Sequence, residues 1–297
     1  MTSIPLLTDS PVALDCLSRV EIVYTDLDGT LLGIGGSLLV DGDGAPSTAT
    51  AEAIARVNAA GLTAVITTGR NRIQCTEITR LLGWRAFIAE LGGVVVTDRG
   101  AEPVYFTGDW PADAVLPGET PWEAIERVGA PRVLCEHFPG RIEPHAPYHY
   151  NREATHLLRG HVDVVEAQVA LDALELPVSI VDNGVIHPLS TGLVGVDEVH
   201  SYHLAPPGLT KVNAIAADLV RRGLERDQAA AIGDAPADLE MADATGLCVL
   251  VGNALRHEGV AEAASNRDNV YATRGRRGDG WAEFANAWLA ARVRPRA

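Results

Sequence analysis

The sequence is poor in lysine and carries a deficit of positive charge. Of its 24 basic side chains a single one is lysine, Lys211, and 39 acidic side chains leave a net charge of −15. A surface that binds nucleic acid needs a basic footprint that releases counterions, and anionic lipid attracts the same kind of surface. The charge therefore argues against binding to nucleic acid and against docking on a membrane.

Cysteines and long apolar runs are also scarce. The four cysteines are scattered without a C-x-x-C pair, which argues against a structural zinc site and against a disulfide framework. No stretch reaches the roughly 18 apolar residues of a spanning helix, and the N-terminal residues carry acids where a signal peptide carries bases. We expect a cytoplasmic protein that is a monomer or a homodimer.

The two ends of the 297-residue chain alternate short β-branched runs with helical patterns. Such an alternation is typical of parallel βαβ units. Strands are predicted at 20–25, 62–67, 85–89, 229–232, 246–251 and near 270, and helices at about 50–60, 72–82, 211–222 and 281–291. We predict an α/β fold with a Rossmann-like parallel sheet, built from residues 20–106 and 206–297 and preceded by an N-terminal extension at 1–19.

The middle of the chain has a different pattern and holds eight of the nine histidines. Thr120 opens a capping box with proline at the first helical position. A strand is predicted at 132–138, a helix at 161–174, and a hairpin of 178–181 and 185–189 joined by Asn183-Gly184. We predict that residues 107–205 form an inserted α+β domain.

Polar side chains follow the predicted strands at the edge where parallel sheets bind ligands. They supply carboxylates that suit a hard cation, and a hydroxyl and an ammonium that suit phosphate. An ordinary turn would explain one Asp-Gly pair by itself, but not the coincidence of the whole set with the sole lysine. The set comprises Asp26, Asp28, Thr68, Lys211, Asp234 and Asp238.

These residues lie in four motifs whose order resembles that of the haloacid dehalogenase superfamily. The motifs are Asp26-Leu27-Asp28-Gly29-Thr30, Thr68 in its Thr-Gly-Arg context, Lys211, and Gly233-Asp234 through Asp238. The inserted region is similar to the C2-type cap of the sugar-phosphatase-like branch, which includes sucrose-phosphate and mannosyl-3-phosphoglycerate phosphatases. Two positions depart from that branch, Ala237 and the Glu90-Leu91-Gly92-Gly93 segment, where asparagine is usual.

The resemblance implies an aspartyl-phosphate mechanism. Asp26 would attack phosphorus, and Asp28 would protonate the leaving oxygen and then take a proton from water. Thr68 and Lys211 would hold the phosphoryl oxygens. Dehalogenases lack the acid at the position of Asp28, so its presence favours a phosphatase or a phosphomutase.

The resemblance also implies Mg²⁺ as the cofactor. Its ligands would be the carboxylates of Asp26 and Asp234 and the backbone carbonyl of Asp28, while Asp238 would act through water or as an orienting group. We therefore predict Mg²⁺-dependent hydrolysis of a small phosphomonoester, such as a sugar phosphate or a phosphoglycerate-type metabolite. The alternatives are a phosphosugar mutase, which needs a bisphosphorylated activator, and a degenerate binding protein, which would have lost a carboxylate or the lysine.

Substrate contacts are expected at two places. Arg70 and Glu90 lie at predicted strand ends, where each could contact substrate or form a structural ion pair. A polar and aromatic segment of the predicted cap contains Arg141, His145 and His149. This segment would either line the face that meets the substrate or form a solvated loop.

Overall fold

The computed structural model describes residues 4–188 and 190–293, which form two separate sheets. The strands are β1 (Ile22–Thr25), β2 (Thr63–Thr67), β3 (Ala86–Ala89), β4 (Val94–Val96), β5 (Val104–Tyr105), β6 (Ile142–Pro144), β7 (His156–Gly160), β8 (Ser179–Ile186), β9 (Val199–Ala205), β10 (Ala229–Gly233), β11 (Leu247–Leu250) and β12 (Val270–Ala272). The helices are α1 (Pro11–Arg19), α2 (Ala49–Ala59), α3 (Arg72–Leu82), α4 (Pro121–Arg127), α5 (Ala130–His137), α6 (Val164–Leu171), α7 (Lys211–Arg222), α8 (Pro236–Leu239), α9 (Val260–Ser265) and α10 (Arg277–Val293).

The larger sheet has the strand order β12-β11-β10-β1-β2-β3-β4-β5 within the described residues. Its strands from β12 to β3 run parallel, and β4 and β5 extend one edge as antiparallel strands that the sequence did not predict. The parallel strands are mostly apolar and, apart from Thr63, buried because helices cover both faces. In β1, Val23 packs into the cluster formed with α1, α2, α3 and α10, and its neighbour Tyr24 packs into the cluster formed with α7, α8 and α9.

The N-terminal segment packs into this core. Leu7, Ala13 and Leu17 are fully buried in the same apolar cluster as Trp281 and Trp288 of α10. The predicted extension at 1–19, of which the structure describes residues from 4 onward, thus covers one face of the sheet and buries apolar surface there. Residues 1–3 and 294–297 of the predicted segments lie outside the described residues.

The strand register brings the predicted motifs to one edge. Thr25, the last residue of β1, is level with Ile66 of β2 and with Ile232 of β10. Because these strands are parallel, the residues that follow them leave the sheet side by side. Asp26, Thr68 and Asp234 therefore emerge at the same carboxyl edge.

The smaller sheet has the order β6-β7-β9-β8 and is antiparallel. One of its faces packs against α4, α5 and α6, and an apolar cluster fills the space between them. A parallel-dominated sheet with an additional antiparallel sheet confirms the predicted α/β fold class. None of the helices described here is long and apolar enough to cross a bilayer.

The strand predicted at 132–138 is wrong, because this segment belongs to helix α5. The helix follows Gly129, has Pro131 in its first turn, where a missing N–H costs nothing, and buries Ala130 and Leu134 on one side. The helix predicted at 161–174 is shorter, because the Asp163 carboxylate accepts from the N–H groups of Val165 and Glu166 and so fixes the helix start at Val164.

The hairpin predicted around Asn183-Gly184 is also wrong. Residues 179–186 form one strand, β8, which pairs along its length with β9. The Asn-Gly pair forms an irregularity between Asp182 and Val185, where Gly184 adopts a φ of +89°. The residues before and after Asn183-Gly184 both pair with β9, which keeps the chain extended. The Asn-Gly segment therefore forms a bulge in place of a hairpin turn. Leu189, the predicted end of the second hairpin strand, lies outside the described residues.

Candidate active site

Three carboxylates converge at the carboxyl edge of the larger sheet. Asp26, Asp234 and Asp238 each offer an oxygen within 4.8 Å of the others. Asp26 is 7% exposed and Asp238 is 1% exposed. Burial raises the pKa of Asp26 and of Asp234, and the negative charges of the neighbouring carboxylates raise it further. The cluster thus concentrates negative charge where water is largely excluded, an arrangement that a cation stabilises.

Lys211 supplies part of that positive charge. It is the first residue of α7, whose start is fixed by the Thr210 hydroxyl accepting from the N–H of Asn213. Its Nζ donates to Asp26 Oδ1 at 2.9 Å and to Asp238 Oδ1 at 2.7 Å. Burial lowers the pKa of Lys211, but the charges of Asp238 and Asp26 outweigh burial and raise it. The chain's sole lysine is therefore a charged ammonium beside the predicted nucleophile.

Asp238 has a different role from its two neighbours in the cluster. Its Oδ1 accepts from Lys211, and its Oδ2 accepts at 3.0 Å from the backbone N–H groups of Asp234 and Ala235. Both carboxylate oxygens of Asp238 are thus engaged in hydrogen bonds, and the choice between the two roles that the sequence left open for it stays a prediction. Asp238 fixes both the ammonium and the turn that carries Asp234.

Asp234 is oriented by two side chains to which the sequence assigned no role. Thr30 Oγ1 donates to Asp234 Oδ1 at 3.0 Å, and Asn253 Nδ2 donates to Asp234 Oδ2 at 2.9 Å and to the carbonyl of Gly29 at 3.0 Å. Gly29 has a φ of +87°, and a Cβ there would overlap the Asp234 carboxylate. Asn253 follows β11 at the same edge, so its place after a parallel strand was an available signal.

The cluster fits a hard divalent cation. Its donors are carboxylate oxygens, the ligands that Mg²⁺ prefers. Asp26 accepts a hydrogen bond from Lys211, and Asp234 accepts one on each of its oxygens. Both carboxylates therefore keep lone pairs that can bind an ion. Asp26 and Asp234 are thus the side chains best placed to hold such an ion.

The side chain of Asp28 lies apart from the cluster. Arg70 donates from Nε to Asp28 Oδ2 at 2.8 Å and from its terminal nitrogen to Oδ1 at 2.6 Å. This carboxylate is 54% exposed, in contrast to the buried Asp26. Thr68 is buried, and its hydroxyl accepts from the backbone N–H of Arg70 at 3.3 Å. Arg70 thus forms an ion pair and links the residues after β1 and β2.

Glu90 is fully buried, and its carboxylate is taken up by the segment that leads into β7. It accepts from the backbone N–H groups of Glu153, Ala154 and Thr155 at 2.8–3.0 Å. Arg152 lies 3.6 Å away as its charge partner and donates to the carbonyl of Gly69 at 2.9 Å. Of the two roles left open for Glu90, the structure corresponds to the ion pair, which joins the larger sheet to the segment carrying the smaller one.

The predicted substrate residues of the inserted region divide into two groups. His145 and His149 lie in one turn, and the Nδ1 of each is buried with no hydrogen-bond partner among the described residues. Burial lowers the pKa of His145 to about 4, so its ring is neutral. Arg141 is exposed and directly precedes β6, and its Nε donates to the carbonyl of His161, which follows β7. The structure therefore does not bring Arg141 together with the two histidines.

His203 is a residue near the site that the sequence did not single out. It lies on β9, its Nδ1 is 3.3 Å from Arg152 and from the Thr155 hydroxyl, and a Cβ on Gly69 would be 3.2 Å from its Nε2. Burial lowers its pKa well below the ordinary value. Asn71 Nδ2 also donates to the carbonyl of Tyr150 at 3.0 Å. The smaller sheet and the turn at 145–150 thus both lie against the residues that follow β2.

The comparisons with known proteins agree with this architecture. Residues 23–115 and 195–269 match the family model of the haloacid dehalogenase-like hydrolases. The chain therefore belongs to that family. The predicted superfamily is confirmed, and so is the prediction of a phosphatase-type hydrolase.

Individual relatives cover nearly the whole chain. A phosphoglycolate phosphatase of Methanothrix thermoacetophila is 28% identical over 273 residues, which are 92% of this chain and 98% of the relative. A haloacid dehalogenase-like hydrolase from Bacteroides thetaiotaomicron has a TM-score of 0.58 at 18% identity and covers 90% of this chain and 98% of its own. The sucrose-phosphatase of Synechocystis, solved with sucrose and phosphate, has a TM-score of 0.57 at 14% identity and covers 91% and 98%. The two solved structures share the fold.

Proposed function

We propose that this hydrolase is a Mg²⁺-dependent phosphatase that cleaves a small phosphomonoester through an aspartyl-phosphate on Asp26. The observation that carries the proposal is the convergence of Asp26, Asp234 and Asp238 around Lys211 at one edge of the sheet. A buried carboxylate beside an ammonium and a cation site suits attack on a phosphate, because the positive charges offset repulsion between two anions.

In the proposed reaction the role of each residue follows from its position in the site. Asp26 forms the bond to phosphorus, and Asp28, on the exposed side of the turn, protonates the leaving oxygen and later accepts a proton from water. Lys211 and Thr68 hold phosphoryl oxygens, and Asp238 keeps Lys211 in place. Arg70 donates to both oxygens of the Asp28 carboxylate, so Asp28 has to leave this ion pair before it can protonate the leaving oxygen.

The carboxylates of Asp26 and Asp234 and the backbone carbonyl of Asp28 are the proposed Mg²⁺ ligands. When bound, the ion would neutralise charge on the transferring phosphoryl group. Thr30 and Asn253 would support the ion indirectly, because they fix both oxygens of Asp234.

We further propose that residues 107–205 act as a C2-type cap and that the turn at 145–150 contacts the part of the substrate that does not react. Two buried imidazole nitrogens, on His145 and His149, have no hydrogen-bond partner within the part of the chain that the structure describes and are available for such a contact. The substrate class is a small phosphorylated metabolite: one relative is named a phosphoglycolate phosphatase and another a sucrose-phosphatase. A cytoplasmic location and a monomeric or homodimeric state stay predictions.

A phosphate-release screen tests the proposed function. The full-length protein is offered phosphoglycolate, phosphoglycerates, sugar phosphates and p-nitrophenyl phosphate, each with Mg²⁺ and with a chelator. We expect inorganic phosphate from at least one substrate class with Mg²⁺ and none with the chelator. Phosphate transfer that requires a bisphosphorylated activator would identify a mutase instead, and no turnover of any phosphomonoester would refute the proposal.

A further inference from the structure

A second cluster of metal-binding side chains lies in the smaller sheet, away from the active site. His161 directly follows β7, Glu198 directly precedes β9, and His200 lies on β9 opposite Gly160. Each of these side chains offers a ligand atom within 4.8 Å of the others. None of the proposed catalytic residues belongs to this cluster.

The cluster faces away from the active site. Side chains alternate along a strand, so His200 and His203 of β9 point to opposite faces of the sheet. His203 contacts Gly69 of the larger sheet, whereas His200 stacks on Tyr202 at a centroid distance of 6.0 Å. Tyr202 belongs to the apolar cluster beneath α4–α6. A ligand bound by His200 would therefore not share the catalytic pocket.

The Nδ1 atom of each histidine hydrogen-bonds to a neighbouring oxygen, which leaves Nε2 as the nitrogen to bind an ion. His161 Nδ1 lies 3.0 Å from the carbonyl of Glu198, which can only accept, so Nδ1 carries the proton and Nε2 is left with a lone pair. His200 Nδ1 lies 2.8 Å from Asp182 Oδ2 and its Nε2 faces Glu198, so an ion bound at Nε2 would take the place of the proton that otherwise joins this nitrogen to Glu198. A carboxylate on the far nitrogen is the usual support of a metal-binding histidine.

The remaining contact pairs the second nitrogen of His200 with Glu198. His200 Nε2 lies 3.2 Å from Glu198 Oε1. In a tetrahedral site with bonds of about 2.0 Å, two ligand atoms are separated by roughly 3.3 Å. The pair therefore already has the spacing of two donors on one Zn²⁺-sized ion.

We propose that His161, Glu198 and His200 form a second metal site, selective for an imidazole-preferring divalent cation such as Zn²⁺. Two histidines and one carboxylate suit Zn²⁺, whereas the all-oxygen cluster at the active site suits Mg²⁺. Glu198 is 58% exposed, so water completes the coordination. The ion would tie the end of β7 to the start of β9 and, through Asp182, to β8. This proposal does not depend on the proposed catalytic function.

Titration calorimetry with Zn²⁺ tests the site in the full-length protein. The chain is freed of metal with a chelator and titrated in excess Mg²⁺, which competes with Zn²⁺ for the oxygen cluster. We expect one Zn²⁺ site in the natural sequence, weakened more than about 100-fold in His161→Ala and in His200→Ala. The matched control is His137→Ala, which removes another histidine of the same region that pairs with a glutamate, Glu166, at 2.9 Å; it should bind Zn²⁺ unchanged.

Thermal unfolding gives a second readout. Zn²⁺ should raise the midpoint in the natural sequence and in His137→Ala, and should leave it unchanged in the two ligand variants. Glu198→Gln keeps the pairing of His200 with Asp182 and serves if His200→Ala fails to fold. The proposal is overturned if the natural sequence binds no Zn²⁺ under these conditions, which would mean that a proton alone joins His200 to Glu198. It is equally overturned if the ligand variants bind as tightly as the natural chain.

Discussion

Glu90→Gln tests the buried contact that joins the two sheets. In the native chain the Glu90 carboxylate is fully buried and accepts from three consecutive backbone N–H groups, those of residues 153–155. Arg152, itself buried, is its charge partner at 3.6 Å. Glutamine keeps the shape of the side chain but removes its charge. Its amide NH₂ group is a donor and would face backbone N–H groups that also donate.

The expected loss of stability follows from the Arg152 charge and the backbone N–H groups that lose their partner. A hydrogen bond to a charged group contributes about 1.5–3 kcal/mol, and removing one partner of a buried ion pair costs about 3–5 kcal/mol because the other charge stays buried. We expect Glu90→Gln to lower the free energy of unfolding by about 3–5 kcal/mol, a large share of the roughly 5–15 kcal/mol of a typical domain.

Urea unfolding followed by circular dichroism measures this loss. The matched control is Asp98→Asn, which breaks an ion pair with Arg85 whose side chains are 48% and 68% exposed. An exposed pair contributes at most about 1 kcal/mol, so the control should unfold almost as the natural chain does. If Glu90→Gln loses no more stability than Asp98→Asn, the buried contact does not hold the sheets together and the reasoning is wrong.

Two further predictions concern the metal support and the pH dependence of stability. Asn253→Ala removes the amide that orients Asp234, so the Mg²⁺ concentration for half-maximal activity should rise about 10–100-fold; the exposed Asn266→Ala is the control, and an unchanged Mg²⁺ midpoint would contradict the role. Burial lowers the pKa of His156, which stacks on Trp122, to about 4. Between pH 7 and pH 5 His156 therefore takes up a proton in the unfolded chain but stays neutral in the folded chain. This difference should lower the free energy of unfolding by about 2 kcal/mol. In His156→Gln this part of the acid sensitivity should be absent, and equal pH profiles for the free energy of unfolding would refute the assignment.

Sequence reasoning succeeded where local chemistry decides the structure. Helix α7 begins at Lys211, as predicted, because the Thr210 hydroxyl caps it. The positions of Asp26 and Asp234 at one edge follow from the parallel order of short apolar strands, since such strands end level with each other. These features depend on residues within a few positions of one another and on general rules of sheet topology.

The errors arose where distant residues decide. Residues 132–138 contain the apolar run Val133-Leu134-Cys135, yet they form a helix that buries Leu134 in the apolar cluster of the smaller sheet. The Asn183-Gly184 pair has the composition of a hairpin turn, and only its partner strand β9, more than ten residues later, holds it as a bulge.

The same limit applies to the site. Glu90 and Arg152 are 62 positions apart, so a substrate contact and an ion pair could not be told apart before the fold was known. Asn253 lies 19 positions beyond Asp234, and its contact with that carboxylate depends on the parallel pairing of β10 with β11. The position of a residue after a parallel strand predicts the edge of the sheet where it lies, but not which side chain it contacts there.

Replacement of the nucleophile tests the central claim most directly. Phosphate release from p-nitrophenyl phosphate, with Mg²⁺ present, is compared for the natural chain, Asp26→Asn and the surface variant Asp15→Asn, after circular dichroism has established that all three are folded. Asparagine retains the size of the side chain, and Lys211 keeps its contact with Asp238. We expect Asp26→Asn to lose turnover by at least about 10³-fold while Asp15→Asn is unaffected. Turnover by Asp26→Asn at the rate of the natural chain would contradict the account.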